Sequence, residues 1–165
     1  MPLPTVELAH PTLIRRPFHH EGWVYEEKVD GYRMVAYKRA GAAQLISRQG
    51  KDFTHRSRDL AKALVGLGAE SVILDAEVAV FDQQLVSRFE WLRAQPKDDV
   101  ATPPMLMAFD LLELDGEDQR KRPLRERRQA LEHLSRGERL ILSVVWPPTG
   151  WKPGRKSCER VTRGW

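Results

Sequence analysis

The amino-acid sequence predicts an α+β fold in which antiparallel β-sheets are flanked by helices. Short runs rich in β-branched and aromatic residues are mixed with helical patterns, without the regular alternation that a doubly wound sheet would need. The chain has 165 residues, of which 41% are apolar and 30% are charged. That size and composition suit one domain with a sizeable core and exclude a wholly disordered chain.

Two early runs of strand composition, 23–29 and 32–38, are separated by Asp30 and Gly31, which is a hairpin-like signal. We expect a third short strand around residues 45–46, after a turn of small residues.

The next pattern is helical, because leucines recur at helical spacing over residues 57–67 and Gly68 suits a helix stop. Residues 72–82 then have strand composition. Within that run Asp75 and Glu77 are two positions apart and therefore lie on one face.

In the second half we expect a short helix from Ser87 to Arg93, with Phe89 and Leu92 turned inward. After a proline pair, residues 105–112 (MLMAFDLL) indicate a buried strand. A last helix is predicted over 123–134, since proline is tolerated in a first helical turn.

We expect three segments: an extended lead-in over 1–21, a folded core over 22–145 and an irregular basic tail over 146–165. Acidic residues outnumber basic ones by five in residues 1–119, whereas basic residues exceed acidic ones by nine in 120–165. The basic part could lie along a polyanion, or it could be a solvated helix face with a loose tail.

Several classes of protein are disfavoured by composition. No apolar run approaches the roughly 18–20 residues of a membrane span, and the N-terminus lacks the pattern of a secretory signal. The single cysteine, Cys158, excludes an intrachain disulfide framework and a cysteine-based zinc site. These observations predict a reducing, cytoplasmic setting.

The segment EEKVDGYR carries the strongest chemical signal. Lys28 could act as a nucleophile, but only as the neutral amine. A neighbouring cation such as Arg33 lowers a lysine pKa, while a carboxylate such as Asp30 raises it. The alternative for this segment alone is an exposed hairpin with surface ion pairs.

Four segments in order, EEKVDGYR, LISRQGKDFT, LDAEVAVFD and AFDLLELDGEDQRKRPLRERR, resemble those of the ATP-dependent DNA ligases. The similarity is greatest to the adenylation domain of bacterial ligases of the end-joining type, and it runs from about Pro17 to about Leu134. It implies an ATP-grasp-like nucleotidyltransferase core.

The resemblance also implies roles for individual residues. Lys28 matches the nucleophile that attacks the α-phosphate of ATP to give a lysyl-AMP and pyrophosphate. Glu26 matches the position that reads the adenine amino group, and Phe109 matches the aromatic residue that stacks on adenine.

Three further positions match residues around the sugar and phosphates. Arg33 matches a contact to the nucleotide and later to the nick phosphate, and Arg48 matches the arginine that holds the ribose and the nick phosphate. Glu77 matches the carboxylate near the ribose and the metal. Alone, each of these residues would be an ordinary surface or core residue, and only their joint order favours the functional interpretation.

Two later motifs of the family have no counterpart here. The sequence lacks a Glu-Gly-(Val/Leu)-(Val/Met)-x-Lys segment, and CERVTRGW (158–165) stands where the family has Lys-x-Lys. Ala76 replaces a usual glycine. We therefore expect a core that is incomplete at its C-terminus, with no OB-fold domain and with impaired activity.

The leading hypothesis is an ATP-dependent DNA ligase adenylation domain that uses ATP and Mg²⁺ and acts on nicked double-stranded DNA. The resemblance implies other DNA repair proteins as partners, no membrane, and a place in the bacterial cytoplasm with the nucleoid. Two alternatives stay open: a remnant that binds nucleotide or DNA without sealing it, and an RNA ligase.

Overall fold

The larger of two β-sheets forms the centre of the computed structural model. The structure describes residues 3–15, 23–94 and 102–134, together with the backbone of 140–142, 145–146 and 160–162. Within these residues the α+β class is confirmed, and the main sheet is open. The strands in chain order are β1 (Val24–Glu26), β2 (Tyr32–Arg39), β3 (Ala42–Ser47), β4 (Val72–Ala79), β5 (Met105–Leu114), β6 (Glu117–Asp118), β7 (Leu140–Leu142), β8 (Val145–Trp146) and β9 (Arg160–Thr162). The α-helices are α1 (Arg58–Val65) and α2 (Leu124–Leu134), and two 3-10 helices cover Thr54–Arg56 and Phe89–Leu92.

Strands β2, β4 and β5 form the middle of the larger sheet, whose order is β3-β2-β4-β5-β6. All neighbours along this path are antiparallel. The exception to the antiparallel expectation is β7, which pairs in parallel with β5. Strands β2 and β3 form a hairpin with a two-residue turn, Ala40 and Gly41, whose φ values are 49° and 73°. Two consecutive positive φ values fit the twist of a tight hairpin.

Both helices pack on one face of this sheet and close the main core. Alternate residues of β2, such as Met34 and Ala36, point into this core together with leucines from the helices. Leu64 of α1 and Leu131 of α2 are fully buried. Each such leucine contributes about 2 kcal/mol through the apolar area that it removes from water.

The opposite face of the sheet is covered by the N-terminal segment, residues 3–15, which contains no helix or strand. Leu3, Val6 and Leu8 pack there on a cluster that includes Val35 and Tyr37 of β2. The Tyr37 hydroxyl donates a hydrogen bond to the carbonyl of Pro4 at 3.2 Å, and burial raises the pKa of Tyr37. Because both faces are covered, all eight residues of β4 are buried.

The expected hairpin between the first two strands is wrong. Strand β1 belongs to a separate three-stranded antiparallel sheet of order β8-β1-β9, while β2 pairs with β3 and β4. The physical reason lies in the connecting loop, where the Gly31 amide donates to the Glu77 carboxylate on β4. This bond ties the loop to the larger sheet instead of allowing it to fold back on β1.

Other differences are smaller. Helix α1 ends at Val65, so Gly66 follows it directly and the stop comes before the expected Gly68. The expected helix over 87–93 is a four-residue 3-10 helix. Strand β9 falls inside the tail that was expected to be irregular. The other residues beyond position 146, Cys158 among them, lie outside the described part of the chain.

The longer described helix, α2, has 11 residues, and no helix in the described ranges is long and apolar enough to cross a membrane.

We predict that Leu64→Ala lowers the free energy of unfolding by about 2–5 kcal/mol, because it leaves a cavity between α1 and the sheet. The adjacent Val65 is 38% exposed, against 0% for Leu64, so Val65→Ala is the matched control. Urea denaturation of both variants measures the difference, and equal losses would contradict this packing.

Candidate active site

The loop between β1 and β2 presents Lys28 to solvent. Its Nζ lies 3.4 Å from Oδ1 of Asp30, and the two side chains are 39% and 57% exposed. An ion pair this long and this exposed contributes little to stability. The amine is therefore accessible to a ligand, with one carboxylate beside it.

Backbone hydrogen bonds fix this loop from two sides. The Asp30 amide donates to Oγ of Ser87 at 2.8 Å, and the Gly31 amide donates to Oε1 of Glu77 at 2.9 Å. A Cβ atom at Gly31 would lie 2.2 Å from the carbonyl oxygen of Val78, which no side chain tolerates. Glycine is required here because the backbone approaches β4 so closely.

The turn that carries Ser87 is organised by Asp82, whose side chain is buried. Its carboxylate accepts hydrogen bonds from the amides of Val86 and Gln84, each at 2.9 Å, and from Nε of Arg88 at 2.8 Å. These bonds, the Val86 amide first, lower the pKa of Asp82. A charged carboxylate thus holds the turn in the shape that positions Ser87.

Arg33 lies where the sheet faces the N-terminal segment. It forms a bidentate ion pair with Asp75, in which Nε donates to Oδ1 at 2.9 Å and Nη2 donates to Oδ2 at 2.6 Å. Nη2 also donates to the carbonyl of Ala9 at 2.9 Å. Hydrogen bonding to Asp75 raises the pKa of Arg33. The guanidinium carbon lies 5.6 Å from the ring centroid of Phe109, within cation–π range.

A second pair of the same kind follows on the next strand. Arg127 of α2 donates to both oxygens of Asp110, at 2.7 and 3.0 Å. Asp75 and Asp110 are partners in the register of β4 and β5. Two carboxylates on neighbouring strands are therefore each paired with a guanidinium.

The third arginine–carboxylate contact is the most buried. Arg128 of α2 donates to the Glu26 carboxylate of β1, and the two side chains are 7% and 4% exposed. The same Nη1 lies 3.4 Å from the carbonyl oxygen of Phe109. One side chain thus connects the smaller sheet with the larger one.

Arg48 lies at the turn that follows β3. Its amide donates to the carbonyl of Arg33 at 3.2 Å, and Nη2 lies 3.1 Å from Nδ1 of His10 in the N-terminal segment. The side chain is exposed, so it can reach a ligand on this face.

Contacts link four of the residues that the sequence singled out: Arg33 contacts Phe109 and the Arg48 amide, and Arg128 lies between Phe109 and Glu26. Lys28 contacts Asp30, and Glu77 accepts a hydrogen bond from the adjoining Gly31. Sequence reasoning missed the residues that hold them in place. Asp75 carried a signal, since it shares a strand face with Glu77, but its partner could not be read from the spacing.

The carboxylates of this region do not form a metal cage. Among the described residues, no group of three or more His, Cys, Asp or Glu is arranged to hold a metal ion. Magnesium commonly binds through substrate phosphates, waters and only one or two carboxylates. Glu77, which accepts a hydrogen bond from Gly31 in the loop between β1 and β2, is one carboxylate of this region.

Comparisons with known proteins point to one family. Residues 7–145 match the family model described as the ATP dependent DNA ligase domain. A structure of a mycobacterial DNA ligase D complexed with ATP and MES superposes with a TM-score of 0.64 at 32% sequence identity, covering 78% of this chain and 42% of that one.

Curated relatives give the same result. The multifunctional non-homologous end joining protein LigD of Pseudomonas aeruginosa is 38% identical over 131 residues, which are 79% of this chain and 15% of that protein. A DNA ligase of Pyrobaculum calidifontis is 34% identical over 120 residues, 67% of this chain and 21% of that protein. The chain thus spans only a minor part of the length of these relatives.

We predict that Gly31→Ala displaces the loop between β1 and β2 and lowers the free energy of unfolding by about 1–3 kcal/mol, because a Cβ atom would collide with the Val78 carbonyl. Gly68→Ala is the control, since a Cβ atom there meets nothing within 4 Å. Denaturant titration checks both, and a neutral Gly31→Ala would argue against the close approach.

We predict that Asp82 makes stability depend on pH. Its pKa is lower in the folded chain than the ordinary 3.8, so its contribution is present above that value and is lost as the pH falls through the folded pKa. The stability difference between the native chain and Asp82→Asn should therefore shrink from pH 6 towards pH 2. Thermal unfolding at several pH values measures it, and a difference that grows in acid would refute the assignment.

Proposed function

The chain belongs to the ATP-dependent DNA ligase family, as an adenylation domain, and on that premise we propose that Lys28 becomes covalently adenylated by ATP. The observation that carries this proposal is the accessible Lys28 amine, on a loop whose Asp30 and Gly31 amides are hydrogen-bonded to Ser87 and Glu77.

In the proposed reaction the neutral amine of Lys28 attacks the α-phosphorus of ATP. A nitrogen–phosphorus bond forms, the bond to the bridging oxygen breaks, and pyrophosphate leaves while the amine proton is lost. Asp30 Oδ1 lies 3.4 Å from Nζ and orients the amine. The attack requires the neutral amine, because only that form has a lone pair on nitrogen.

We assign the adenine to Phe109 and Glu26. An aromatic face stacks on a purine ring, and a carboxylate accepts a hydrogen bond from an exocyclic amine. Phe109 is half-buried, and the Arg33 guanidinium lies over its ring. The similarity to a mycobacterial DNA ligase D complexed with ATP supports ATP as the nucleotide.

We assign the phosphates and ribose to Arg33, Arg48 and Glu77. The two arginines lie next to each other through a backbone hydrogen bond, and both remain cationic at neutral pH. Magnesium, held mainly by the triphosphate with Glu77 nearby, would neutralise charge that develops on the phosphates. Positioning and electrostatics of this kind account for most catalysis of phosphoryl-type transfer.

The later steps concern DNA. AMP would pass from Lys28 to a 5′-phosphate at a nick in double-stranded DNA, and the 3′-hydroxyl would then displace AMP to seal the strand. The relatives named for non-homologous end joining and DNA repair support a role in DNA repair. We propose that the chain acts there with other repair proteins, in the bacterial cytoplasm near the nucleoid.

We predict that incubation with ATP and Mg²⁺ adds one AMP to the native chain and none to Lys28→Ala, because the phosphoramidate needs this amine. Intact-mass spectrometry measures the adduct. Lys62→Ala, an exposed lysine on α1, is the matched control and should be modified normally.

The outcomes separate the hypotheses. No adduct on the native chain, shown to be folded by circular dichroism, would favour a nucleotide- or DNA-binding remnant over an enzyme. If the adduct forms, transfer to nicked duplex DNA in preference to nicked RNA distinguishes a DNA ligase from an RNA ligase.

A further inference from the structure

We propose that Arg128 is a positioning residue for adenine, and that it sets the preference for a purine with a 6-amino group by fixing the Glu26 carboxylate. The inference rests on the proposed function, because it assumes that Glu26 and Phe109 receive the base. It concerns a residue of the PLRERR segment to which the proposed reaction gives no part.

Arg128 occupies a position on α2 that an apolar residue would normally take. It lies four residues after Leu124 and three before Leu131, both buried, so all three side chains share the core-facing side of the helix. A buried guanidinium without partners would be strongly unfavourable. Its presence on this side indicates that the contacts it makes there are needed.

Those contacts join the two expected adenine ligands. Glu26 lies on β1 of the smaller sheet, and Phe109 lies on β5 of the larger sheet. The Arg128 guanidinium donates to the carboxylate of the first and lies 3.4 Å from the carbonyl oxygen of the second. One planar guanidinium therefore connects the Glu26 carboxylate with the backbone of Phe109.

The pair also orients the Glu26 carboxylate. A carboxylate has about four lone-pair positions, so an arginine bond on one oxygen is compatible with a further donor such as an exocyclic amine. Without the guanidinium, a buried carboxylate tends to take up a proton or to rotate towards water. Either change would remove the feature that distinguishes adenine from a purine without the amino group.

The experiment compares lysine adenylation by ATP with that by purine riboside triphosphate, which lacks the 6-amino group. Single-turnover rates at subsaturating nucleotide give a selectivity ratio for each variant. We expect Arg128→Met to lower the ratio by about ten- to hundredfold, the range of a lost hydrogen bond to a charged group. Arg128→Lys, which keeps the charge but loses the planar fork, should give an intermediate ratio.

Two controls separate positioning from general destabilisation. Arg127→Met breaks the neighbouring pair with Asp110, so it should reduce stability without changing the ratio. If Arg128 acts through Glu26, the double variant Glu26→Gln with Arg128→Met should be no less selective than the single variants.

An unchanged ratio in Arg128→Met, even with slower overall adenylation, would overturn the inference. If that variant does not fold, an unchanged ratio in Arg128→Lys decides against it in the same way. If the native chain forms no adduct with either nucleotide, both the proposed function and this inference are refuted. An adduct on the native chain with an unchanged ratio in the variants refutes the inference alone.

Discussion

The contact between Gly31 and strand β4 determines how the rest of the site is arranged. The loop backbone approaches the sheet so closely that no side chain fits, and the amide bond to Glu77 closes the gap. At this contact the chain passes from the smaller sheet to the larger one. Lys28, three residues before Gly31, lies in the connecting loop with its side chain exposed. From there β2 carries Arg33 onto the face that bears Phe109.

The charged side chains of this region are also held by specific contacts. Arg33, Arg127 and Arg128 each pair with a carboxylate from another part of the chain, in surroundings where an unpaired charge would be costly. Such pairs add little net stability, but they fix side chains that would otherwise rotate freely. For the proposed reaction with a triphosphate, fixed charges are more useful than a deep apolar pocket.

Local patterns in the sequence predicted most strands and both α-helices. They could not predict which strands share a sheet, because β1 pairs with residues 145–146 and 160–162, more than a hundred positions away. Nor could they predict the arginine pairs, since any of several carboxylates would have served each guanidinium. Arg128 did carry a signal: its spacing from Leu124 and Leu131 places a charged residue on the apolar side of a helix.

The N-terminal segment has a practical consequence for anyone who shortens this protein. Residues 3–15 look dispensable in sequence, yet they cover Val35 and Tyr37 and supply the Ala9 carbonyl and the His10 ring to Arg33 and Arg48. A fragment that starts just before Lys28 would expose this apolar face of the sheet, which would favour self-association. It would also remove the contacts that hold both arginine side chains. A shortened chain made for crystallisation or expression would therefore lose part of the arrangement around Arg33 and Arg48.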